Sequence, residues 1–221
     1  MDSIIQGIAI YALPVIFAIT LHEAAHGYVA KRFGDLTAEM AGRVSLNPIR
    51  HIDPVGTILV PLTMFMASKL MLGGGFLFGW AKPVPINFNQ LRRPKRDMLW
   101  VAAAGPGANL LMAFFWAAII KFGVVIPEST YAKPIVLMGI AGIEINVILM
   151  VLNLLPLPPL DGGRIAVSLL PNNLAWKYAQ IEPYGIVILL VLLISGALGV
   201  ILWPLITLTK QMIVILFGLY V

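Results

Sequence analysis

Leu21-His22-Glu23-Ala24-Ala25-His26-Gly27 closes an almost wholly apolar run that begins near Ile4. Two histidines four residues apart lie one turn apart on the same face of an α-helix, so both imidazoles can reach one metal ion. Glu23 can then contact a water held in an open coordination position. Zinc lowers the pKa of such a water to about 7, and a neighbouring carboxylate can take its proton. Two of the 3 histidines in the chain fall in this stretch. Ionisable side chains at the end of a hydrophobic span carry a desolvation cost that usually marks function. The plainer alternative is a polar patch facing a water-filled crevice without metal.

Composition points to the same setting. A mean hydropathy of +0.93, 60% hydrophobic residues and 11% charged residues exclude an ordinary soluble domain. Several apolar runs approach or exceed the ~20 residues that cross about 30 Å of hydrocarbon. The expected fold is an all-α polytopic membrane protein, with about five to six membrane segments and a re-entrant or small β-element between the first and third. The 221 residues read as a single domain, 1–221, with its core over about residues 4–170 and accessory membrane segments over 184–221. On that length no appended PDZ or CBS domain is expected. The absence of cysteine removes disulfides and thiolate metal sites. The first span lacks the basic leader and cleavage site of a signal peptide, and it carries the proposed ligands, so it is expected to stay in place. The net charge of +5 is no sign of nucleic-acid binding here, because in a membrane protein the placement of lysine and arginine reports orientation.

The first segment covers about residues 4–30, with Pro14 placed to bend it. Residues 33–54 are mixed and turn-rich, with short alternating pieces that could form a small β-element. The second segment, about 55–72, is apolar but interrupted by Gly56, Pro61 and Lys69. An extended, proline-set stretch over 79–87 follows, then the basic cluster Arg92, Arg93, Lys95 and Arg96. The third segment, about 98–122, holds Gly105-Pro106-Gly107-Ala108-Asn109, small residues suited to close helix packing. The fourth, about 134–155, runs into a proline- and glycine-rich break. Residues 164–182 look like a short helix-turn-helix interrupted at Pro171. The fifth segment covers about 184–202, and Pro204 separates it from a final apolar stretch.

Asp161, in the break after the fourth segment, reads in two ways. Asp-Gly is a common interfacial turn. Irregular backbone at membrane depth is also tolerated around a protein-lined cavity, and with the paired histidines upstream Asp161 becomes the candidate third ligand. If His22 and His26 lie near one face of the bilayer, Asp161 must return to that face, and treating the second segment as re-entrant or partial achieves this. The same assumption gathers Lys31, Arg32, Arg43, Arg50, Lys82 and the 92–96 cluster on one side, the bias expected of the cytoplasm. A metal site nearer the cytoplasmic face follows. Full crossing by the second segment, with both ligand sets near mid-membrane, is the alternative.

His22-Glu23-Ala24-Ala25-His26, with Asn153-Leu154-Leu155-Pro156 and Leu160-Asp161-Gly162 in that order, resembles the site-2 protease family of intramembrane zinc metalloproteases. Stretches 42–48, 51–57 and 79–85 resemble its compact bacterial branch, which lacks PDZ and CBS domains. The resemblance covers about residues 10–170. It implies a zinc endopeptidase of the cell membrane, with one Zn2+ per chain, that cuts the transmembrane segments of single-span or other membrane proteins. His22, His26 and Asp161 would be the ligands and Glu23 the residue that activates water. Asn153 would help hold substrate or the oxyanion.

The remaining polar residues have competing roles. Asn146 lies two turns before Asn153 on the same helical face, so it could act with Asn153 or form an interhelical hydrogen bond. His51 and Asp53 could orient a ligand or shape the entrance, or simply anchor their loop. Glu144 is costly within a membrane segment and lies about half a turn round from Asn153, away from the expected ligand set. Stretch 79–87 offers an extended edge for an unwound substrate strand, and the 92–96 cluster reads as an anchor to lipid headgroups. Two rivals remain in view. A metal transporter would line a conduction path with ionisable residues, whereas here they gather at one end. A catalytically inactive scaffold would lack a ligand, yet every expected residue is present.

Overall fold

The computed structural model describes residues 2–59, 63, 82–125 and 131–219. Helix α1 spans Asp2–Arg32. Beyond it, residues 33–54 form no strand, which corrects the expectation of a small β-element there. They hold the one-turn helix α2 (Thr37–Met40) and a 3-10 turn over Pro48–His51, followed by a π-helical turn over Pro54–Leu59. Side chains close these turns. The fully buried Asp35 accepts from the amides of Thr37 and Asn87, and Asn47 accepts from the Ile49 amide. Asx acceptors of this kind satisfy backbone donors that a sheet ladder would otherwise have to pair.

Helix α3 (Pro94–Val125) starts on a proline, which needs no amide partner at the first helical position. Asp97 accepts from the Arg93 amide at 2.7 Å, and a carboxylate suits this positive end of the helix dipole. The amide of Arg92 donates to the Phe33 carbonyl at 3.1 Å, and that of Lys82 to the His51 carbonyl at 2.9 Å. The chain between α1 and α3 therefore leaves and returns at one end of the bundle. Most of the expected second segment, 55–72, and residues 79–81 lie outside the described residues.

Helix α4 (Ala132–Asn153) brings the chain back to that end. Three short helices follow: α5 (Asp161–Leu169), α6 (Asn172–Ala179) and α7 (Glu182–Ile194). The last is α8 (Ala197–Phe217). Among the described residues, 4 helices are long and apolar enough to cross a membrane, or up to 5 if the pair α6 and α7, bent by 62°, counts as one span. The chain is a polytopic membrane protein. The expected break at Pro204 moves to Ser195-Gly196, where Gly196 has φ +76, and Pro204 sits inside α8. Glycine takes the left-handed conformation without a Cβ penalty. Proline is tolerated in membrane helices because neighbouring groups re-satisfy the freed carbonyl.

The core is built mainly where α3 meets α4. Trp116, Ala117 and Ile120 of α3 pack with Ile143, Val147 and Met150 of α4, and Leu202 and Ile206 of α8 close over them. Gly142 makes the approach possible, since a Cβ there would lie 2.2 Å from the Trp116 ring. Small residues at such crossings let helices touch in a lipid solvent that supplies no hydrophobic drive between them.

Candidate metal centre

His22 and His26 stand one turn apart on α1, and Asp161 is the first residue of α5; all three are buried. Their ligating atoms converge. The two Nε2 atoms are 3.1 Å apart, and they lie 3.2 and 3.3 Å from Asp161 Oδ2. Tetrahedral zinc with bonds of 2.0–2.1 Å has ligand–ligand edges of about 3.3 Å, so this triangle is the size of one face of such a site.

Proton placement makes the case stronger. His26 Nδ1 donates to the Val101 carbonyl at 2.7 Å. A carbonyl only accepts, so in the neutral ring the proton is on Nδ1 and the lone pair on Nε2. His22 Nδ1 lies 2.6 Å from Asn109 Oδ1. The Asn109 amide is oriented by its own donations, from Nδ2 to the Ala18 carbonyl at 3.2 Å and to Asn146 Oδ1 at 3.0 Å. Asn146 is oriented in turn by donating to the Gly142 carbonyl. Asn109 thus presents an acceptor to His22, which places that ring's proton on Nδ1 as well. With both rings neutral, two imidazole lone pairs and a carboxylate oxygen face one another with no proton between them. Asp161 Oδ2 is buried and has no hydrogen-bond donor among the described residues. A cation resolves this arrangement, and the donor set of two imidazoles and one carboxylate is one that catalytic zinc takes.

The backbone makes room for the rings. A Cβ on Gly105 of α3 would fall 2.3 Å from His26 Nε2 and 2.6 Å from His22 Cε1. Gly105, expected to serve helix packing, therefore packs α3 against the imidazoles themselves. Gly162 holds the carboxylate's helix close, because a Cβ there would lie 2.3 Å from the Leu154 and Leu155 carbonyls.

Glu23 is half-buried beside the cluster, and its Oε2 accepts from the Val84 amide at 2.9 Å. The extended stretch 82–87 thus touches the carboxylate next to the candidate metal ligands. Its amides are largely spent: Lys82 on His51, Val84 on Glu23 and Asn87 on Asp35. Pro83 and Pro85 have none. A strand laid along it would meet carbonyls and the Ile86 amide.

The other expected residues fall outside the cluster. Asn146 makes an interhelical bond to Asn109 rather than one with Asn153, whose Nδ2 donates to the Leu149 carbonyl at 3.0 Å on its own helix. His51 is buried with Nε2 against the Ser45 carbonyl. Asp53 accepts from the amides of Val55 and Gly56. Both contacts are those of loop anchors. Glu144 of α4 pairs with Lys210 of α8 at 3.3 Å, which gives the carboxylate within the span its partner. Asn109 is the residue that sequence reasoning passed over. Its signal was an amide in an apolar helix, a group that needs a polar partner in lipid.

No protein-family model matches the chain, and no solved structure does. Among curated proteins, "Putative zinc metalloprotease YwhC" of Bacillus subtilis is 38% identical over 214 residues, covering 93% of this chain and 90% of that one. "Putative zinc metalloprotease Rip2" of Mycolicibacterium smegmatis is 28% identical over 185 residues, 83% of this chain and 66% of its own. The protein of the same name from Mycobacterium tuberculosis is 30% identical over 192 residues, 84% and 69% of the two chains.

Proposed function

The chain belongs to the site-2 protease family, and from that premise we propose that it is a zinc-dependent intramembrane endopeptidase acting on the membrane segments of single-span or other membrane proteins. The observation that carries the reading is the convergence of three potential ligand atoms from α1 and α5, edges 3.1–3.3 Å, inside a polytopic helix bundle. His22, His26 and Asp161 would hold one zinc ion per chain. When bound, zinc supplies a Lewis acid that polarises the scissile carbonyl and makes a water acidic enough to lose a proton near neutral pH.

The chain's own residues supply the rest. Glu23, adjacent in sequence to the first ligand, takes the proton from the attacking water and returns it to the leaving amine. The Val84 amide holds its carboxylate in place. Asn153, at the end of α4 and eight residues before Asp161, is the candidate to steady substrate or the developing oxyanion. A substrate helix must unwind first, since a helical peptide bond is already hydrogen-bonded and shielded. The basic cluster at 92–96 lies at the start of α3, at the end of the bundle where the ligands gather. This supports a cell-membrane protein with its site nearer the cytoplasmic face.

Glu23→Gln is the test. The variant should keep its zinc and lose roughly 10²–10⁴ in the cleavage rate of a single-span reporter. Undiminished cleavage would remove Glu23 as the general base.

A further inference from the structure

A cavity of about 410 Å³ borders the metal centre without including its ligands. One wall is the turn and helix that carry Asp161: Pro158, Gly163 and Arg164. Arg164 is one helical turn beyond the ligand, about 5 Å along α5. Another wall is Ile86, two residues along the extended stretch from Val84, the residue whose amide holds Glu23, and Phe88, which opens the 3-10 turn that follows. A peptide leaving Glu23 along this stretch reaches the cavity within about two to four residues. Since the stretch has few free amides to offer a strand, discrimination along it falls to side chains.

The cavity's charges are uneven. Lys95 also lines it, but its ammonium is taken by the Leu170 carbonyl and by Asn172 Oδ1 at 3.0 Å. Glu182 is exposed and in no salt bridge among the described residues. Arg164 is half-buried, and its guanidinium has no acceptor among the described residues. A planar five-donor fork in a partly buried pocket is matched by a carboxylate.

We infer that this cavity recognises an acidic side chain in the juxtamembrane flank of the substrate, with Arg164 as its counter-ion. The inference rests on the protease reading above. It also gives the site a means of choice. The flanks of most membrane spans on the cytoplasmic side carry lysine and arginine; Arg164 and the neighbouring cluster repel these, and like-charge repulsion is an effective way to reject wrong partners.

The test uses the full chain in proteoliposomes with single-span reporters that differ only in the first residues beyond the span: alanine, aspartate or lysine. The aspartate reporter should be cleaved with a kcat/KM about tenfold or more above the lysine one, and Arg164→Glu should invert that order. A parallel measurement needs no cleavage. Fluorescent peptides bearing the aspartate or lysine flank are titrated onto the Glu23→Gln protein with Arg164 intact or replaced by Gln. Preferential binding of the aspartate peptide, lost with Arg164→Gln, upholds the pocket even if no reporter is cut, a result that would count against the protease reading alone. Equal binding of the two peptides, or a preference unmoved by either Arg164 variant, overturns the pocket while leaving the protease reading intact.

Discussion

At the scale of single residues, the centre depends as much on what fixes the imidazoles as on the imidazoles. Asn109 sets the tautomer of His22 from α3, and Asn146 sets Asn109 from α4. Partners of metal-bound histidine typically contribute 10–100-fold in metal affinity. Asn109→Ala should therefore weaken zinc binding by roughly 10–100-fold in a chelator competition, with helical content by circular dichroism unchanged. Asn146→Ala, one step further out, should cost less; the reverse order would undo the chain of orientation. Gly105→Ala is a steric counterpart. Its Cβ would sit 2.3 Å from His26 Nε2, so the purified variant should lose zinc although alanine favours a helix more than glycine does. The candidate ligands were legible because metal chemistry constrains spacing: two histidines four apart announce a shared face. Asn109 was less so: an amide in an apolar helix asks for a polar partner, but that partner is 87 residues away and the local sequence does not say which it is.

At the scale of elements, the polar pair between α4 and α8 shows what an unexplained residue can mean. Glu144 was visibly out of place in an apolar segment, but Lys210 is 66 residues away and the pairing appears when α8 packs on α4. Removing one partner should destabilise more than removing both, because an isolated charge in the span is left without compensation. A double-mutant cycle of Glu144→Gln and Lys210→Met, read by unfolding in mixed micelles, should give a coupling of about 1 kcal/mol. Additivity would make the pair incidental. Element boundaries were harder to foresee than elements. Pro204 looked like a stop, yet the helix runs through it and the break falls at Gly196. A single chain of residues does not say whether neighbours will satisfy the carbonyl that proline frees. Residues 33–54 alternated enough to suggest strands, but Asp35 and Asn47 spend their side chains closing turns instead.

At the scale of the whole molecule, the candidate metal centre ties together elements far apart in sequence. α1 carries two of the candidate ligands and α5 the third, while α3 lies against both rings through Gly105, Val101 and Asn109. A ligand that binds the folded chain and not the unfolded one stabilises it by mass action. Zinc removal by a chelator should lower the midpoint of thermal unfolding, and zinc should restore it in the wild type but not in Asp161→Ala. The central claim is that His22, His26 and Asp161 share one ion, and zinc K-edge absorption on the purified full chain tests it most directly. One zinc per chain, with nitrogen and oxygen neighbours at about 2.0–2.1 Å and the multiple-scattering signature of two imidazoles, is the expected result. A spectrum unchanged by Asp161→Ala, or a chain that binds no zinc, would contradict it.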